Sequence, residues 1–471
     1  MMDQVTRRDA LRFGGLALMG LAAAPMVTGC AGSEKPSEED SPKGKEKGTG
    51  LVARDAYIGL DEKVKLRDGS EVVAINFDNA ATTPALASTV DAMQKELPMY
   101  GSVGRGKGQK QAHSTEVFNT ARKRILKFFN APEPDYMAVW CGTTTDALNK
   151  IAGALITSAD DVILTTRMEH HANDLPWRAR GTVMYAEVHD DGRLVMDDVR
   201  KILSENKVKV VSVQAASNVT GYVNDVHAIA KMAHAAGAIM VVDGAQISAH
   251  RAFSMAGKTT DEDIDLFACS GHKMYAPFGS GAIIGKKSIL DAHLPAYRGG
   301  GMVDIVSDSD VTWLASPDRW EAGSPNYFGV VALTSALDMF DEVTFDAIER
   351  HEQELLRQAI DGLLELPKVT VYGDTKDLTD RVGVVSFSVE GMEAADVASA
   401  LANDYGIAVR QGEFCAHPYC HRLMGVSDEE IVAGMKDDGY VPPAMVRISF
   451  GLYTTPEEVD KFIDAMTKIA K

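Results

Sequence analysis

The sequence predicts a mostly parallel α/β sheet with helices on both faces, followed by a smaller α/β unit towards the C-terminus. Three observations carry this. Short apolar runs that read as buried strands alternate with helical patterns through the middle of the chain. Polar and small residues follow each apolar run, where a parallel sheet gathers its functional groups at the strand carboxyl ends. The chain has 471 residues, 45% hydrophobic and 24% charged, which is long enough for two domains with a large core.

The first thirty residues stand apart from that pattern. Residues 6–12 are basic and contain the pair Arg7-Arg8, residues 13–24 are apolar and rich in Gly and Ala, and Val27-Thr28-Gly29-Cys30 closes the segment. It resembles a twin-arginine signal ending in a lipobox, with Ala10 where that motif usually has Phe. The resemblance implies cleavage before Cys30, lipidation of Cys30, and an exported protein anchored by lipid to a membrane surface outside the cytoplasm. The expected organisation is a signal peptide over 1–29, a disordered tether over 30–55 and an N-terminal segment with a large domain over 56–335. A small domain follows over 336–471. The tether is Gly, Ser, Pro, Glu and Lys with almost no apolar residue in its first part. No stretch is long and apolar enough for a transmembrane helix. A net charge of −19 argues against nucleic acid as a partner. Apart from Cys30, four cysteines remain, too few for a disulfide framework in a chain of this length. Cys141 and Cys269 read as buried small hydrophobes.

The elements follow in order. A two-strand opening begins near Val64. A helix over 85–96 and a Gly-rich segment over 101–108 come next. Apolar spacing at Val117, Ala121, Ile125 and Phe128 predicts a helix over 115–129. Strands are predicted at 137–140, 162–165, 208–213, 238–242, 264–269 and 282–285, with helices from Thr144 and over 226–235. A long helix leads away after Val331, and 384–389 and 446–450 are strands of the smaller unit.

The segments after these strands carry chemistry. Ser270-Gly271-His272-Lys273 places a lysine at a strand end between small residues, where a desolvated amine becomes nucleophilic near neutral pH. Thr143-Thr144-Thr145 opens a helix, offering hydroxyls and free N–H groups to an anion such as phosphate, or simply a Thr N-cap. His170-His171 cannot act as one metal site on a regular element, because adjacent side chains diverge; one catalytic or stacking His and one structural His is the better reading. Asp243 at a buried strand end needs a cationic or N–H partner, for which a protonated pyridine nitrogen would serve; a helix N-cap is the alternative. A Schiff-base lysine, a phosphate site, a carboxylate and an imidazole together are the parts that pyridoxal phosphate requires. Cys415, His417, Cys420 and His421 could be read as a zinc cluster, but their spacing is not that of a standard finger, and no metal is expected.

From about Phe77 onward the chain resembles the class V aminotransferase family of fold-type I pyridoxal-phosphate enzymes, most closely its cysteine desulfurase and selenocysteine lyase branch. The motifs are FDNAATT (77–83), MEHHAN (168–173), SNVTG (217–221), VDGAQ (242–246), SGHKMYAPFGSG (270–281), EAGSPN (321–326), VRQGEFCAHP (409–418) and VRISFGLYTTPEEVD (446–460). The resemblance implies a sheet of the seven-stranded type and the following roles. Lys273 is the Schiff-base lysine. Asp243 pairs with the pyridine nitrogen, Gln246 with the phenolic oxygen, and His170 stacks on the ring and shuttles protons. Thr144, Thr145, Ser270 and His272 hold the phosphate, and Ser324 adds a contact from a neighbouring subunit, which implies a homodimer with shared sites. Asn218 lies near both the cofactor ring and the substrate carboxylate, Arg447 and Arg105 meet the substrate, and Cys415 receives sulfur. The expected cofactor is pyridoxal 5′-phosphate and the expected substrate an amino acid, L-cysteine in the first instance. Glu413-Phe414 stands where this branch often has two His, and acidic sequence over 427–440 is extra. The alternatives are an aminotransferase, epimerase or lyase that never uses Cys415, and a non-catalytic surface binding lipoprotein. Cys415 and Cys420 are also close enough in sequence to pair if a loop brings them together.

Overall fold

The computed structural model describes residues 50–471 apart from Arg105, Pro277, Phe278, Asp438 and Gly439. The signal segment, Cys30 and the first part of the tether lie outside the described residues, as does Arg105. Residues 50–55, expected in the tether, are docked. The Val52 N–H donates to the Leu452 carbonyl at 3.0 Å, and Arg54 pairs with Glu458 at 2.7 Å. Leu51 and Val52 pack on the core, so the polar composition ends before residue 55.

The opening strands are β1 (Lys63–Lys65), β2 (Glu71–Val73) and β3 (Ile75–Asn76), and α1 (Ala87–Glu96) follows. Helix α2 (Gln109–Phe128) starts earlier than the apolar spacing predicts, because its first turn is polar and only Ser114, Phe118, Ala121, Ile125 and Leu126 are buried. The central strands are β4 (Tyr136–Cys141), β5 (Val162–Thr166), β6 (Thr182–Ala186), β7 (Val208–Gln214), β8 (Ile239–Asp243), β9 (Leu266–Ser270) and β10 (Gly281–Lys286). They form one seven-stranded sheet in the order β4-β10-β9-β8-β7-β5-β6. Only β10 runs against its neighbours, so the mostly parallel sheet predicted from sequence is what the chain forms.

Alternate residues of these strands feed two separate cores. Trp140, Leu164, Val211, Val242 and Phe267 face one, and Val139, Ile163, Val210, Val241 and Leu266 face the other. Burial on both faces is why the strands are near-continuous apolar runs. Helices α3 (Thr144–Leu155), α4 (Leu175–Arg178), α5 (Met196–Glu205), α6 (Val226–Ala235) and α7 (Ile247–His250) connect them, and α8 (Lys287–Ala292) follows the last, β10. Strand β9 begins at Leu266 rather than Ile264, because Asp265 interrupts it: its carboxylate takes the Met240 N–H at 2.8 Å, His234 at 2.9 Å and Lys286 at 2.8 Å.

A hairpin of β11 (Val303–Val306) and β12 (Val311–Trp313) leads to α9 (Tyr327–Val343) and α10 (Phe345–Leu364). The expected domain boundary at residue 335 falls inside α9. Beyond lie β13 (Val369–Val371), β14 (Val384–Val389), β15 (Ile407–Ala408), β16 (Arg410–Gly412) and β17 (Met445–Ser449). Between and after them come α11 (Ala394–Tyr405), α12 (His417–Met424), α13 (Asp428–Gly434) and α14 (Pro456–Ile469). Four of these strands make an antiparallel sheet in the order β13-β14-β17-β16, over a core of its own that includes Leu356, Phe387, Ile448 and Phe462. β15 pairs in parallel with β3, tying this part back to the start of the chain.

The two sheets are stitched at the loop after β7. The Val382 N–H donates to the Gly221 carbonyl at 2.9 Å, and the Val223 N–H to the Asp380 carbonyl at 2.8 Å. Gly221 has φ +77°, and a Cβ there would stand 2.6 Å from the Val382 carbonyl oxygen, so both conformation and space demand glycine. Among the described residues no helix is long and apolar enough to cross a membrane.

Candidate active site

The carboxyl ends of the parallel strands and one loop of the smaller sheet enclose a cavity of about 250 Å³. At one end of it is the turn after β4. Thr143 caps α3, its Oγ1 accepting the Asp146 N–H at 3.2 Å. Thr144 donates its backbone N–H to Ser270 Oγ at 2.6 Å, and the two hydroxyls lie 2.8 Å apart. Hydroxyls clustered at the N-terminus of a helix make a site for an anion.

Beside it, β8 delivers Asp243 and the turn after β9 delivers Lys273. Asp243 is buried, and the Ala245 N–H donates to its Oδ1 at 2.9 Å. Burial raises its pKa, while that hydrogen bond and the Lys273 charge act the other way. Burial lowers the Lys273 pKa from 10.5 to about 8, against the pull of Asp243. His170 accepts the Ala172 N–H on Nδ1 at 3.0 Å, so its neutral form carries the proton on Nε2. Burial first, then the charge of Lys273, depresses its pKa to about 3, which keeps the ring neutral. Gln246 donates to the Ala80 carbonyl at 2.8 Å. His272 is half-buried, bonds Thr82 Oγ1 at 3.2 Å, and has its pKa lowered to about 4, chiefly by burial.

The opposite wall comes from β17 and the loop between β16 and α12. Arg447 is 2% exposed; its Nη1 donates to the Asn218 carbonyl at 2.9 Å and its Nη2 to Asp78 Oδ1 at 3.0 Å. Its guanidinium also lies 4.9 Å from the centre of the Phe414 ring. Asn218 donates from Nδ2 to the Phe414 carbonyl at 2.8 Å. Phe414 and Cys415 have φ of +50° and +56°, a left-handed conformation that costs about 1–3 kcal/mol per non-glycine residue and persists only where contacts over-determine it. Here they do: the His171 N–H donates to the Cys415 carbonyl at 2.6 Å, and the Ala416 N–H to the Glu413 carbonyl at 2.8 Å. The strained loop presents an exposed thiol at the cavity that holds Lys273.

Eleven residues singled out from sequence line this one cavity: Thr144, Thr145, His170, Asn218, Asp243, Gln246, Ser270, His272, Lys273, Cys415 and Arg447. Ser324 does not; it is exposed and lies away from the cavity of its own chain. His171 is the second, packing His of the pair, fixed by Cys415 and by the His417 N–H, which donates to its Nε2 at 3.4 Å. Cys415 and Cys420 are free thiols rather than a pair: Cys420 is buried, and its Sγ donates to the Glu413 carbonyl at 3.3 Å. Among the described residues no group of His, Cys, Asp and Glu is arranged to hold a metal ion. Sequence reasoning missed Asp78 as the counter-ion of Arg447, and Gln214 as a cavity residue. Asp78 lies in the FDNAATT motif, whose position just after β3 was the available signal.

A flat aromatic cofactor with a phosphate and a carbonyl carbon suits these residues. The anion site stands at one end, and a buried carboxylate, a neutral imidazole and an amine with a depressed pKa share the cavity. Two buried polar atoms of the site, Asn218 Oδ1 and Arg447 Nε, have no hydrogen-bond partner among the described residues. Such a site on this sheet defines a pyridoxal-phosphate enzyme of fold-type I.

The class V aminotransferase family matches residues 75–462. A probable cysteine desulfurase of Halalkalibacterium halodurans is 37% identical over 87% of this chain and 95% of the relative. A cysteine desulfurase of Haloferax volcanii is 35% identical over 85% and 90%. The apo structure of a cysteine desulfurase from Thermococcus onnurineus superimposes with a TM-score of 0.75 at 32% identity, covering 84% of this chain and 94% of the other. The cysteine desulfurase CsdA of Escherichia coli gives 0.71 at 28% identity, with the same coverage. The chain belongs to the class V aminotransferase family, in its cysteine desulfurase-like branch. It is a pyridoxal-phosphate-dependent enzyme.

Proposed function

We propose that the protein removes sulfur from L-cysteine, giving L-alanine and a persulfide on Cys415. The observation that carries the reading is the exposed Cys415 thiol, held by a strained loop at the cavity that contains Lys273. When bound, pyridoxal phosphate supplies an electron sink for the carbanion formed at the substrate α-carbon. Thr144, Thr145, Ser270 and His272 hold its phosphate, Asp243 its pyridine nitrogen and Gln246 its phenolic oxygen. Lys273 takes the α-proton, for which its lowered pKa suits it. Arg447 binds the substrate carboxylate beside Asn218. Neutral His170 carries a proton on Nε2 for transfer at the cofactor face. Cys415, as thiolate, attacks the substrate sulfur. A bond forms between Cys415 Sγ and that sulfur, the Cβ–S bond breaks with its electron pair returning to carbon, and protonation completes alanine. The test is the assay of alanine and sulfide from L-cysteine. Cys415→Ser should abolish sulfur release, while Cys420→Ser should still form the persulfide. Undiminished desulfuration by Cys415→Ser would favour a lyase or aminotransferase that does not use the thiol.

Three further features belong to the proposal. Ser324 of one copy would complete the phosphate site of another in a homodimer, which suits its exposure away from its own cavity. Arg105 would join the substrate site. Arg7-Arg8 and the segment ending at Cys30 would send the protein out folded, with cofactor loaded inside, to a lipid anchor at a membrane surface. Replacing Arg7 and Arg8 by Lys should then leave the protein inside the cell, still holding cofactor; continued export would refute the route.

A further inference from the structure

We propose that Glu413 and His417 form an acid–base pair that serves the second half of the reaction, the removal of sulfur from Cys415 by a low-molecular-weight thiol. The proposal rests on the desulfurase reading above. Glu413 and His417 flank Cys415, each two residues away. The Glu413 side chain is 11% exposed; its Oε2 lies 3.4 Å from His417 Nδ1, and its Oε1 holds His421 Nε2. The His417 ring packs against the ring of His171 at 4.4 Å between centres. His171 in turn grips the loop twice, donating its N–H to the Cys415 carbonyl and accepting the His417 N–H. The imidazole is therefore fixed to the same loop segment that presents the thiol.

Its placement separates it from the groups that serve the first half. Lys273 and His170 line the cavity, whereas the His417 side chain is 49% exposed and does not line it. A carboxylate at Nδ1 orients the ring and leaves Nε2 for exchange with a group arriving from solvent. Alanine formation does not call for such a pair once the Cys415 thiolate is in place, because each turnover regenerates that thiolate. The step that does is attack on the persulfide, where the incoming thiol must lose its proton to become nucleophilic.

The step balances as follows. His417 takes the proton of RSH. The thiolate attacks the outer sulfur of the Cys415 persulfide, an RS–S bond forms, and the bond from that sulfur to Cys415 Sγ breaks. The electron pair stays on Sγ, regenerating the Cys415 thiolate, and the product is RSSH. A second RSH converts RSSH to RSSR and hydrogen sulfide, so the thiol is the reductant.

The test uses the holoenzyme, its His417→Asn variant and Glu413→Gln. Mixed with about one equivalent of L-cysteine per site, so that no free thiol remains to act as acceptor, wild type and both variants should give the same burst of alanine, about one per site, which also shows that the variants fold and load cofactor. Turnover is then measured with a series of thiols of rising pKa. His417→Asn should fall at least about tenfold with thiols that are mostly protonated at the assay pH, within the range of positioned proton transfer. It should match wild type with thiols already ionised. Glu413→Gln should lie between them. Equal turnover of wild type and His417→Asn across the whole series would overturn the proposal. So would loss of the burst in His417→Asn, which would put His417 in the first half. Absence of a burst in wild type would sink the desulfurase reading itself, a separate outcome.

Discussion

Replacing Lys273 by Met is expected to stabilise the cofactor-free protein at neutral pH. The lysine pKa falls from 10.5 to about 8 on folding, chiefly through desolvation, with Asp243 opposing the fall. A fall from 10.5 to about 8 corresponds to about 3.5 kcal/mol between the two protonation states. The side chain is only partly buried, and solvent screening reduces this to about 2 kcal/mol. The sign follows from proton counting. Between the native value near 8 and the unfolded value near 10.5, the unfolded chain binds more protons, so stability rises with pH across that window. At pH 7 both states are protonated and the full penalty is present; above about 10.5 both are neutral and it is gone. Met has nearly the same length and no charge at any pH. Urea unfolding of the two cofactor-free proteins should therefore show the variant ahead by about 2 kcal/mol at pH 7, with the difference vanishing as pH approaches 10.5. A difference that does not change with pH, or a more stable wild type, would refute the argument. The same shift has a functional side. At pH 7 a pKa near 8 leaves about one amine in ten neutral, against about one in three thousand for an unperturbed lysine. The site is made reactive by the desolvation that weakens the fold.

Two other perturbations follow from the same geometry. Arg447→Lys keeps a charge but cannot reach both the Asn218 carbonyl and Asp78 while holding a carboxylate, so kcat/KM for L-cysteine should fall about 100-fold, mainly through KM; an unchanged KM would remove Arg447 from the substrate site. Glu169 is buried, takes three hydrogen bonds and has its pKa raised from 4.5 to about 8, chiefly by burial. There the native state binds the extra proton, so wild-type stability should fall as pH rises from about 4.5 to 8, and Glu169→Gln should remove that slope; parallel thermal melts from pH 5 to 8 would contradict it.

What could be read from sequence was what local pattern encodes. β5, β7, β8 and β9 are buried on both faces and spell themselves as apolar runs, and the residues after them fall at the strand ends, so most of the site followed from finding the strands. The edge strand β6, Thr182-Val183-Met184-Tyr185-Ala186, is buried only at Ala186 and has no such signature. Helix α5 buries only Val199 and Leu203, too thin a stripe to stand out among its charges. The counter-ion of Arg447 was out of reach for another reason. Asp78 and Arg447 are 369 residues apart, and they meet because a bridge between Asp78 and Ser449 joins the start of the chain to β17. The left-handed backbone at Phe414 and Cys415 is likewise invisible locally, since neither residue type favours it.

That strain explains why the two sheets must be held together for the thiol to face the lysine. The loop bearing Cys415 grows from β16 of the smaller sheet, whereas Lys273 follows β9 of the larger one. The contacts that keep Phe414 and Cys415 in their costly conformation come from both. Arg447, on β17, packs on the Phe414 ring. Asn218, after β7, and His171, after β5, hold the two carbonyls. If the sheets separated, the smaller one would keep only its own grip, and the loop would relax to backbone angles that ordinary residues prefer. The pairing of residues 221–223 with 380–382 prevents this, at a glycine whose replacement would push on the Val382 carbonyl. Presentation of the thiol is therefore a property of the joint between the sheets, and the elements that secure it lie outside the cavity.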